Sequence, residues 1–308
     1  MTLLFKVDPA RGGVWKALFA EQAPDIEVRL WPDVGEASDV RYLATWQPPE
    51  GIAERFPNLQ VLFATSAGVD QFETAALPDS VQVVRMLDPG IAHGIVEYAT
   101  MAVLALHRDL PLYLEQQRQG VWQEHPIVPA HQRRVGVMGL GNLGQAVLRQ
   151  LQGFGFELQG WSRSQKQIEG VRCFAGDAQL KAFLAGCEIL ICLLPLTPDT
   201  AGILDARLLA ALPPGACLIN LGRGGHLVDD DLLAALHSGQ VRRAIVDVLA
   251  SEPPGRGHPL MGHPNVWVTP HVGAMTHPES AFRVLLENLR RHQRGEAMEG
   301  VVPRQRGY

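Results

Sequence analysis

Short apolar runs typical of β-strands alternate with helical patterns along almost the whole chain. The early runs lie at Leu3–Val7, Glu27–Trp31, Tyr42–Trp46, Val61–Thr65 and Val81–Met86. A second series follows a loop at 122–134, with runs at 135–138, 157–161, 189–194, 216–221, 243–248 and 266–269. Strands that alternate with helices pair in parallel, because each crossover helix returns the chain to the same edge of the sheet. The pattern therefore predicts an α/β chain with two doubly wound parallel sheets.

A long helical pattern from Ile95 to about Gln119 separates the two series, and Pro111 should interrupt it. One α/β unit would therefore end near the start of this pattern, and a larger one would follow. The final helical pattern, at 279–294, could pack on either unit.

Composition and charge argue against several classes of protein. Lys and Arg number 27 against 32 Asp and Glu, whereas general nucleic-acid binders carry a basic surplus. We expect no secretory signal, because Lys6 and Asp8 precede any long apolar run. We also expect no membrane-spanning segment, because no stretch approaches the roughly 18 apolar residues that a span needs. The four cysteines form no CxxC pair and no residues show zinc-site spacing, so we expect reduced thiols and no metal. These features predict a soluble cytoplasmic protein without nucleic-acid or membrane partners.

The run 135–144, Val-Gly-Val-Met-Gly-Leu-Gly-Asn-Leu-Gly, contains the pattern GxGxxG between a predicted strand and a predicted helix. In that context Gly139 would make the tight turn, Gly141 would let the backbone approach a pyrophosphate, and Gly144 would let the helix lie close to the sheet. The pyrophosphate would lie at the helix N-terminus, where free N–H groups favour anions. The run predicts a dinucleotide-binding loop; the alternative is an ordinary glycine-rich turn.

The next predicted strand ends in a basic segment rather than an acidic one. An NAD site usually has Asp or Glu here for the ribose 2′-hydroxyl, whereas this chain has Ser162, Arg163, Ser164 and Lys166. Arginine would pair with a 2′-phosphate that a carboxylate would repel. The segment predicts NADP(H), with NAD(H) as a weaker alternative; a solvated basic turn is the other interpretation.

Charged and titratable side chains follow three later predicted strands. Arg223 follows the run at 216–221, and His271 follows the run at 266–269. Asp247 lies at the end of the run at 243–248, and Glu252 follows it. The carboxyl ends of parallel strands meet at one edge of a sheet, where ligands bind. We therefore expect Arg223, Glu252 and His271 to form one site.

The order of these motifs resembles that of the D-isomer-specific 2-hydroxyacid dehydrogenase family. The motifs are GxGxxG, Asn-x-x-Arg-Gly at 220–224, Asp-Val-x-x-x-Glu-Pro at 247–253, Thr-Pro-His at 269–271 and, earlier, Ser-Ala-Gly-Val-Asp at 66–70. Within the family the chain looks most like the glyoxylate/hydroxypyruvate reductase A branch, on the segments 161–164, 174–176, 193–198, 229–235 and 306–308. The likeness covers essentially the whole chain.

This resemblance implies a fold and a reaction. A flavodoxin-like substrate domain, 1–98 plus 276–308, would face a Rossmann NADP-binding domain, 99–275, across a cleft that closes on the substrate. The enzyme would be a homodimer that reduces glyoxylate and hydroxypyruvate to glycolate and D-glycerate with NADPH.

The resemblance also implies residue roles. His271 would be the general acid, Glu252 would hydrogen-bond it and keep it protonated, and Arg223 would bind the substrate carboxylate. The remaining cofactor contacts would come from Asn142, Leu143, Leu194, Pro195, Thr200 and Asp247, the last of these at the nicotinamide amide. Backbone N–H groups of Gly68 and Val69 would bind the other carboxylate oxygen. Trp46 would wall the substrate pocket or, equally, pack as an ordinary strand-end tryptophan.

Two other functions stay open. An NAD(P)-dependent dehydrogenase for a bulkier 2-oxo acid would use the same motifs with a wider pocket. A dinucleotide-sensing binding protein would have the fold without turnover, although the complete set of Arg223, Glu252 and His271 argues against it.

Overall fold

A computed structural model describes residues 2–69, 71–72 and 77–303 of the chain. Both of its sheets are built from parallel strands. Two segments with predicted motifs, Asp70 and 306–308, lie outside these residues. The described strands are β1 (Thr2–Lys6), β2 (Glu27–Leu30), β3 (Val40–Thr45), β4 (Val61–Ala64), β5 (Gln82–Val84), β6 (Arg134–Met138), β7 (Glu157–Ser162), β8 (Val171–Ala175), β9 (Ile189–Cys192), β10 (Ala216–Asn220), β11 (Val241–Val246) and β12 (Val266–Val268). The described α-helices are α1 (Pro9–Gln22), α2 (Ile52–Arg55), α3 (Pro89–His107), α4 (Leu110–Arg118), α5 (Asn142–Gln152), α6 (Gly176–Leu184), α7 (Ala206–Ala210), α8 (Asp229–Ser238) and α9 (Pro278–Gln293).

The chain divides into two compact units, one of Met1–Ile91 with Met275–Tyr308 and one of Ala92–Ala274. The predicted fold class, with two parallel-sheet α/β units, is confirmed. The assignment of substrate to the first unit and cofactor to the second stays a prediction.

The first unit is built on a five-stranded sheet in the order β2-β1-β3-β4-β5. This is the flavodoxin-like order, with the change of direction between β1 and β3. Strand side chains alternate between the two faces. Phe5 therefore packs with Trp15 and Phe19 of α1, and Phe19 meets Phe282 of α9 edge-on, with ring centroids 4.9 Å apart. Through these contacts the final helix belongs to the first unit.

The second unit is built on a seven-stranded sheet in the order β12-β11-β10-β9-β6-β7-β8. Its central part has the strand order of dinucleotide-binding folds, with the switch point between β6 and β9. Alternation again divides the core, since Leu218 lies in the cluster with Phe183 and Leu232, whereas Ile219 lies in the cluster on the other face, with Val147. The sequence patterns did not predict β8, an edge strand whose side chains are mostly half-exposed.

Helix α3 corrects one expectation about membranes. Its 19 residues include a window of mean hydropathy 1.3, which is long and apolar enough to cross a bilayer. The expectation of no such stretch was wrong because alanines and aliphatic side chains raise the mean hydropathy even though His93, Glu97 and Thr100 interrupt the apolar run. Ile95, Ala99, Ala102, Val103 and Leu106 lie in the core of the second unit, as expected of a core helix in a globular protein. The helix ends at His107, Asp109 with φ +53° precedes α4, and Pro111 lies in the first turn of α4.

Candidate active site

Two of the three glycines of the predicted phosphate loop, Gly139 and Gly144, occupy positions that no other residue could take without rearrangement. Gly139 has φ +103°, and a Cβ there would lie 2.6 Å from the Leu193 carbonyl oxygen. A Cβ at Gly144 would lie 1.9 Å from the Gly139 carbonyl oxygen, so helix α5 can approach the turn only through a glycine. Gly141, in contrast, has open space around its Cβ direction. That open space lies where a pyrophosphate would approach the backbone.

Helix α5 begins directly after this turn. Asn142 is its first residue and is exposed, and Leu143 beside it is half-buried. The first amides of a helix have no carbonyl partner within the helix, so they are available to an anion. The residues present therefore fit the diphosphate of a dinucleotide.

The loop after β7 is the predicted place for the adenosine ribose. Ser162 is half-buried and its hydroxyl donates to the Ser164 carbonyl at 2.8 Å, whereas Arg163, Ser164 and Lys166 are exposed. No Asp or Glu occurs from 162 to 168. The positive charge of this loop fits a 2′-phosphate, and it would give a 2′-hydroxyl no carboxylate partner.

The loop after β9 lies across the switch point from Gly139. Leu194 is buried, Pro195 is exposed, and the Thr200 hydroxyl donates to the Pro195 carbonyl at 2.7 Å. The predicted cofactor residues described so far lie in the loops after β6, β7 and β9. These three strands are neighbours in the sheet, so the three loops lie at the same edge of it. Their contacts with a cofactor stay predictions.

His271 and Glu252 form the hydrogen-bonded pair that the sequence predicts. The Nδ1 atom of His271 lies 2.8 Å from Oε2 of Glu252, and the other carboxylate oxygen accepts from the Leu249 amide at 2.9 Å. The two side chains are about one-third exposed, at 34% and 29%. Because Nδ1 is engaged, Nε2 is the ring nitrogen left to meet a substrate.

The backbone of His271 is held in a left-handed conformation, with φ +53°. Its amide donates to the Asp247 carbonyl at 2.8 Å. The buried Asp247 carboxylate accepts from the Thr269 hydroxyl at 2.5 Å, the Val272 amide at 2.9 Å and the Gly273 amide at 2.8 Å. A non-glycine residue at positive φ costs about 1–3 kcal/mol unless its surroundings hold it. Asp247 supplies that support, and its predicted contact with a nicotinamide amide stays a prediction.

Tyr98 of α3 extends this network. Its hydroxyl lies 2.5 Å from the Thr269 hydroxyl, which already donates to Asp247. Tyr98 must therefore be the donor in this pair. Burial raises the pKa of Tyr98, which keeps the donor proton in place over the working range of pH.

Arg223 lies three residues beyond Asn220, the last residue of β10, in a turn that the Asn220 side chain organises. The Asn220 side chain donates to the Arg223 carbonyl at 3.2 Å and accepts from the Gly222 amide at 3.2 Å. Arg223 is half-buried, and its Nη1 donates to the Gly222 carbonyl at 2.8 Å. A Cβ at Gly224 would lie 1.9 Å from the Leu249 carbonyl carbon. The Arg223 turn thus packs directly on the segment whose amide holds Glu252.

The predicted substrate residues of the first unit lie beyond the carboxyl ends of two neighbouring strands. Trp46 follows β3 and is 48% exposed, while Gly68 and Val69 follow β4, with Val69 buried. The Ser66 hydroxyl donates to the Gly68 carbonyl at 2.8 Å, which closes a tight turn. Within the described part of the chain, no hydrogen bond of this turn uses the amide of Gly68 or Val69.

Four residues that position this site were not assigned roles from the sequence. Tyr98, Thr269, Asn220 and His226 all contact the segments around Arg223 and His271. Asn220 and Thr269 begin two of the quoted motifs, and an Asn at a strand end is a signal for a side-chain-closed turn. Tyr98 gave no such signal, because its partner is distant in sequence.

The described residues contain neither a candidate metal-binding cluster nor a disulfide bond. They contain no group of three or more His, Cys, Asp or Glu that could hold a metal ion. The four cysteines are free, and burial raises the pKa of Cys192 to about 12, which leaves this thiol protonated. The chemistry that these residues can perform is proton donation and carboxylate binding beside a dinucleotide loop.

Comparison with known proteins agrees with this geometry. Residues 100–273 match the model of the D-isomer specific 2-hydroxyacid dehydrogenase, NAD binding domain. Glyoxylate/hydroxypyruvate reductase A of Serratia proteamaculans is 42% identical over 302 residues, which cover 96% of each chain. The predicted resemblance to this branch is thereby confirmed.

Two solved structures are similar over the full length. A D-isomer specific 2-hydroxyacid dehydrogenase from Xanthobacter autotrophicus Py2, in complex with NADPH and MES, has a TM-score of 0.93 and 40% identity, covering 100% of this chain and 99% of that one. An NADPH-dependent glyoxylate/hydroxypyruvate reductase from Sinorhizobium meliloti, in complex with NADP and sulfate, has a TM-score of 0.91 and 34% identity, with the same coverage. The chain therefore belongs to the D-isomer specific 2-hydroxyacid dehydrogenase family.

Proposed function

We propose that this protein reduces glyoxylate and hydroxypyruvate to glycolate and D-glycerate with NADPH. The observation that carries the proposal is the His271–Glu252 pair, 2.8 Å apart, on loops that follow strands of the same sheet as the glycine loop. The segment that leads to Glu252 also packs against the Arg223 turn. The names of the similar reductases support the choice of substrates and cofactor.

The chain's own residues would divide the reaction between them. Arg223 binds the substrate carboxylate and draws electron density from the adjacent carbonyl. His271 donates the Nε2 proton to the carbonyl oxygen, so that the oxygen becomes a hydroxyl. Glu252 stabilises the charged ring before that transfer and keeps Nε2 oriented. When bound, NADPH supplies the hydride that the carbonyl carbon gains.

Cofactor choice would be set by the loop after β7. Arg163 and Lys166 would pair with the 2′-phosphate of NADPH, and the serine hydroxyls would donate to its oxygens. NADH would bind more weakly because the loop offers its 2′-hydroxyl no carboxylate. This assignment is supported by the NADPH and NADP complexes of the two similar structures.

Substrate size would be set by the first unit. The amides of Gly68 and Val69 would bind the second carboxylate oxygen, and Trp46 would limit the group carried on the carbonyl carbon. Trp46 is the largest side chain among these three, and its partial exposure leaves its ring accessible to a ligand.

We also propose that the enzyme is a cytoplasmic homodimer without nucleic-acid or membrane partners. Exposed apolar side chains on and after α3, including Met101, Leu110, Val121 and Trp122, support a self-association surface. Light scattering of the purified protein would measure the mass; a monomer at all concentrations would remove the dimer from the proposal.

The first experiment is a cofactor-oxidation assay on the purified protein. NADPH and NADH are each paired with glyoxylate, hydroxypyruvate, pyruvate and phenylpyruvate, and loss of reduced nicotinamide absorbance is followed. We expect fast oxidation of NADPH with the first two acids. Faster turnover of phenylpyruvate would favour the bulkier-substrate dehydrogenase, and NADPH binding without any turnover would favour the sensing protein.

A further inference from the structure

His226 is a fully buried histidine that belongs to neither the proton transfer nor the predicted cofactor contacts. It ends the short 3₁₀ turn Gly224–His226, three residues after Arg223, and is 0% exposed. A buried polar ring is stable only when its nitrogen atoms have hydrogen-bond partners, because an unpaired one loses its hydration without compensation. The partners of this ring therefore indicate what it holds in place.

The two ring nitrogens contact two different loops. The Arg223 amide donates to Nδ1 at 3.0 Å, and the Arg223 carbonyl oxygen lies 3.1 Å from the same atom. On the other side of the ring, Nε2 lies 3.2 Å from the Pro195 carbonyl oxygen. The Pro195 carbonyl oxygen only accepts, so Nε2 must carry a proton. A neutral ring has one N–H proton, so Nδ1 is then unprotonated and accepts from the Arg223 amide. One neutral tautomer satisfies both contacts. The ring therefore cannot give its Nε2 proton to a substrate without losing its bond to Pro195.

Two loops meet at His226. The loop after β9, which contains Pro195, is predicted to line the cofactor, and the turn after β10 carries Arg223. The Pro195 carbonyl also accepts from the Thr200 hydroxyl at 2.7 Å, so two donors fix its direction. The His226 carbonyl accepts from the Leu204 amide, and the Gly225 carbonyl accepts from the Gly202 amide, both at 2.8 Å. The ring thus completes a junction between two loops that the backbone has already brought side by side.

The other side of the Arg223 turn is also filled. A Cβ at Gly222 would lie 2.9 Å from Nδ1 of His226, and Gly224 packs on the Leu249 backbone. The Arg223 backbone is therefore held between the His226 ring and the segment that supports Glu252. A change at His226 can therefore move the guanidinium by moving the Arg223 backbone.

We propose that His226 is a positioning residue that couples the substrate-binding and cofactor-binding loops through one neutral ring. Nδ1 sets the position of Arg223, and Nε2 sets the position of the Pro195 loop. The inference rests on the proposed function, because it takes Arg223 as the carboxylate ligand and the Pro195 loop as part of the cofactor site.

Two amide side chains can separate the two contacts. In His226→Asn, the side-chain oxygen reaches the place of Nδ1 but nothing reaches Pro195. In His226→Gln, the side-chain nitrogen reaches the place of Nε2 and can donate to the Pro195 carbonyl. His226→Leu removes both contacts. His237→Gln, on the exposed end of α8, is the matched control.

Two binding constants are measured. The dissociation constant for NADPH comes from nicotinamide fluorescence, and the inhibition constant is that of oxalate, a dicarboxylate that mimics the planar 2-oxo acid. KM and kcat for glyoxylate are measured on the same variants. Loss of one hydrogen bond should weaken the matching ligand by about threefold to tenfold. His226→Asn should weaken NADPH and spare oxalate, His226→Gln should do the reverse, and His226→Leu should weaken both. The control should match the wild type.

Equal losses of both ligands in the Asn and Gln variants would overturn the coupling and leave a purely structural histidine. Unchanged binding in His226→Leu would overturn it as well. Wild-type protein that binds NADPH and oxalate but does not reduce glyoxylate would contradict the proposed function, while the split between the variants would still support the positioning role. Wild-type protein that binds neither ligand would overturn both.

Discussion

The two units of this molecule offer different kinds of groups at the ends of their strands. In the second unit, charged side chains follow β10, β11 and β12, and each is held by hydrogen bonds to neighbouring loops. In the first unit, the predicted groups are two backbone amides and one aromatic ring beyond β3 and β4. Proton transfer and charge pairing need particular side chains, whereas a pocket wall needs only shape and N–H groups. The second unit therefore reveals the reaction, and the first unit leaves the substrate less specified.

This difference predicts unequal consequences of substitution. Changes in the second unit should affect rate or cofactor choice, while changes in the first should affect the choice among 2-oxo acids. The variants below test that division from the largest expected effect to the smallest.

Replacing the acid should have the largest effect. In His271→Gln, kcat with glyoxylate should fall by about 10²–10⁴, because the new side chain cannot donate a proton to the carbonyl oxygen. NADPH affinity should stay within about twofold, because the glycine loop is untouched. Stopped assays on concentrated enzyme and fluorescence titration measure the two quantities. Near-normal turnover in this variant, with His237→Gln unchanged as control, would remove His271 as the acid.

Reversing the charge after β7 should have the next effect. In Arg163→Asp, the ratio of kcat/KM for NADPH to that for NADH should fall by about tenfold to a hundredfold, since a charge-assisted hydrogen bond becomes a repulsion. Arg118→Asp, an exposed arginine on α4, is the control. An unchanged ratio in Arg163→Asp would mean that another group reads the 2′-phosphate.

Sequence reasoning succeeded where a residue's place follows from its strand. The strand ends before Gly139, Arg223 and His271 could be read from apolar runs, and parallel pairing brings such ends to one edge. It missed β8, because an edge strand with half-exposed side chains has no apolar run. It also missed the Tyr98–Thr269–Asp247 network, because only the tertiary fold decides which polar groups meet in the interior.

The same reasoning explains why no role could be predicted for His226 from the sequence. A histidine three residues after Arg223 has no pattern that distinguishes exposure from burial. Its ring contacts Arg223, three positions away, and Pro195 on a different loop. The contact with Pro195 depends on the pairing of β9 with β10, which the sequence near His226 does not indicate.

Enlarging the first unit's pocket should have a smaller effect. In Trp46→Ala, kcat/KM for phenylpyruvate relative to glyoxylate should rise by about threefold to tenfold, because the ring no longer limits the pocket, an effect near the low end of the roughly 1–3 kcal/mol that a pocket contact is worth. Trp46→Phe should show an intermediate shift. The NADPH dissociation constant is the internal control. A fall in turnover with all acids in equal proportion would show that Trp46 only packs the unit.

The smallest effect is a pH dependence of stability that differs between the units. Burial lowers the pKa of His107 on α3, with a further contribution from Arg133 and Arg108, and burial alone lowers the pKa of His292 on α9. Both rings are therefore neutral in the folded chain at a pH where unfolded histidine takes up a proton. Stability should fall as the pH drops below 6.5, the ordinary histidine value, because the unfolded state then binds more protons.

The contribution of His107 should be the larger one. Among the described residues its Nδ1 has no hydrogen-bond partner, whereas Nδ1 of His292 lies 2.9 Å from the Tyr42 hydroxyl. Thermal unfolding of His107→Gln and His292→Gln, measured from about pH 5 to 8, should show a flatter slope below the histidine pKa for the first than for the second. Equal slopes in both variants and the wild type would mean that neither buried ring titrates on unfolding, and that the acid sensitivity of the two units has another source.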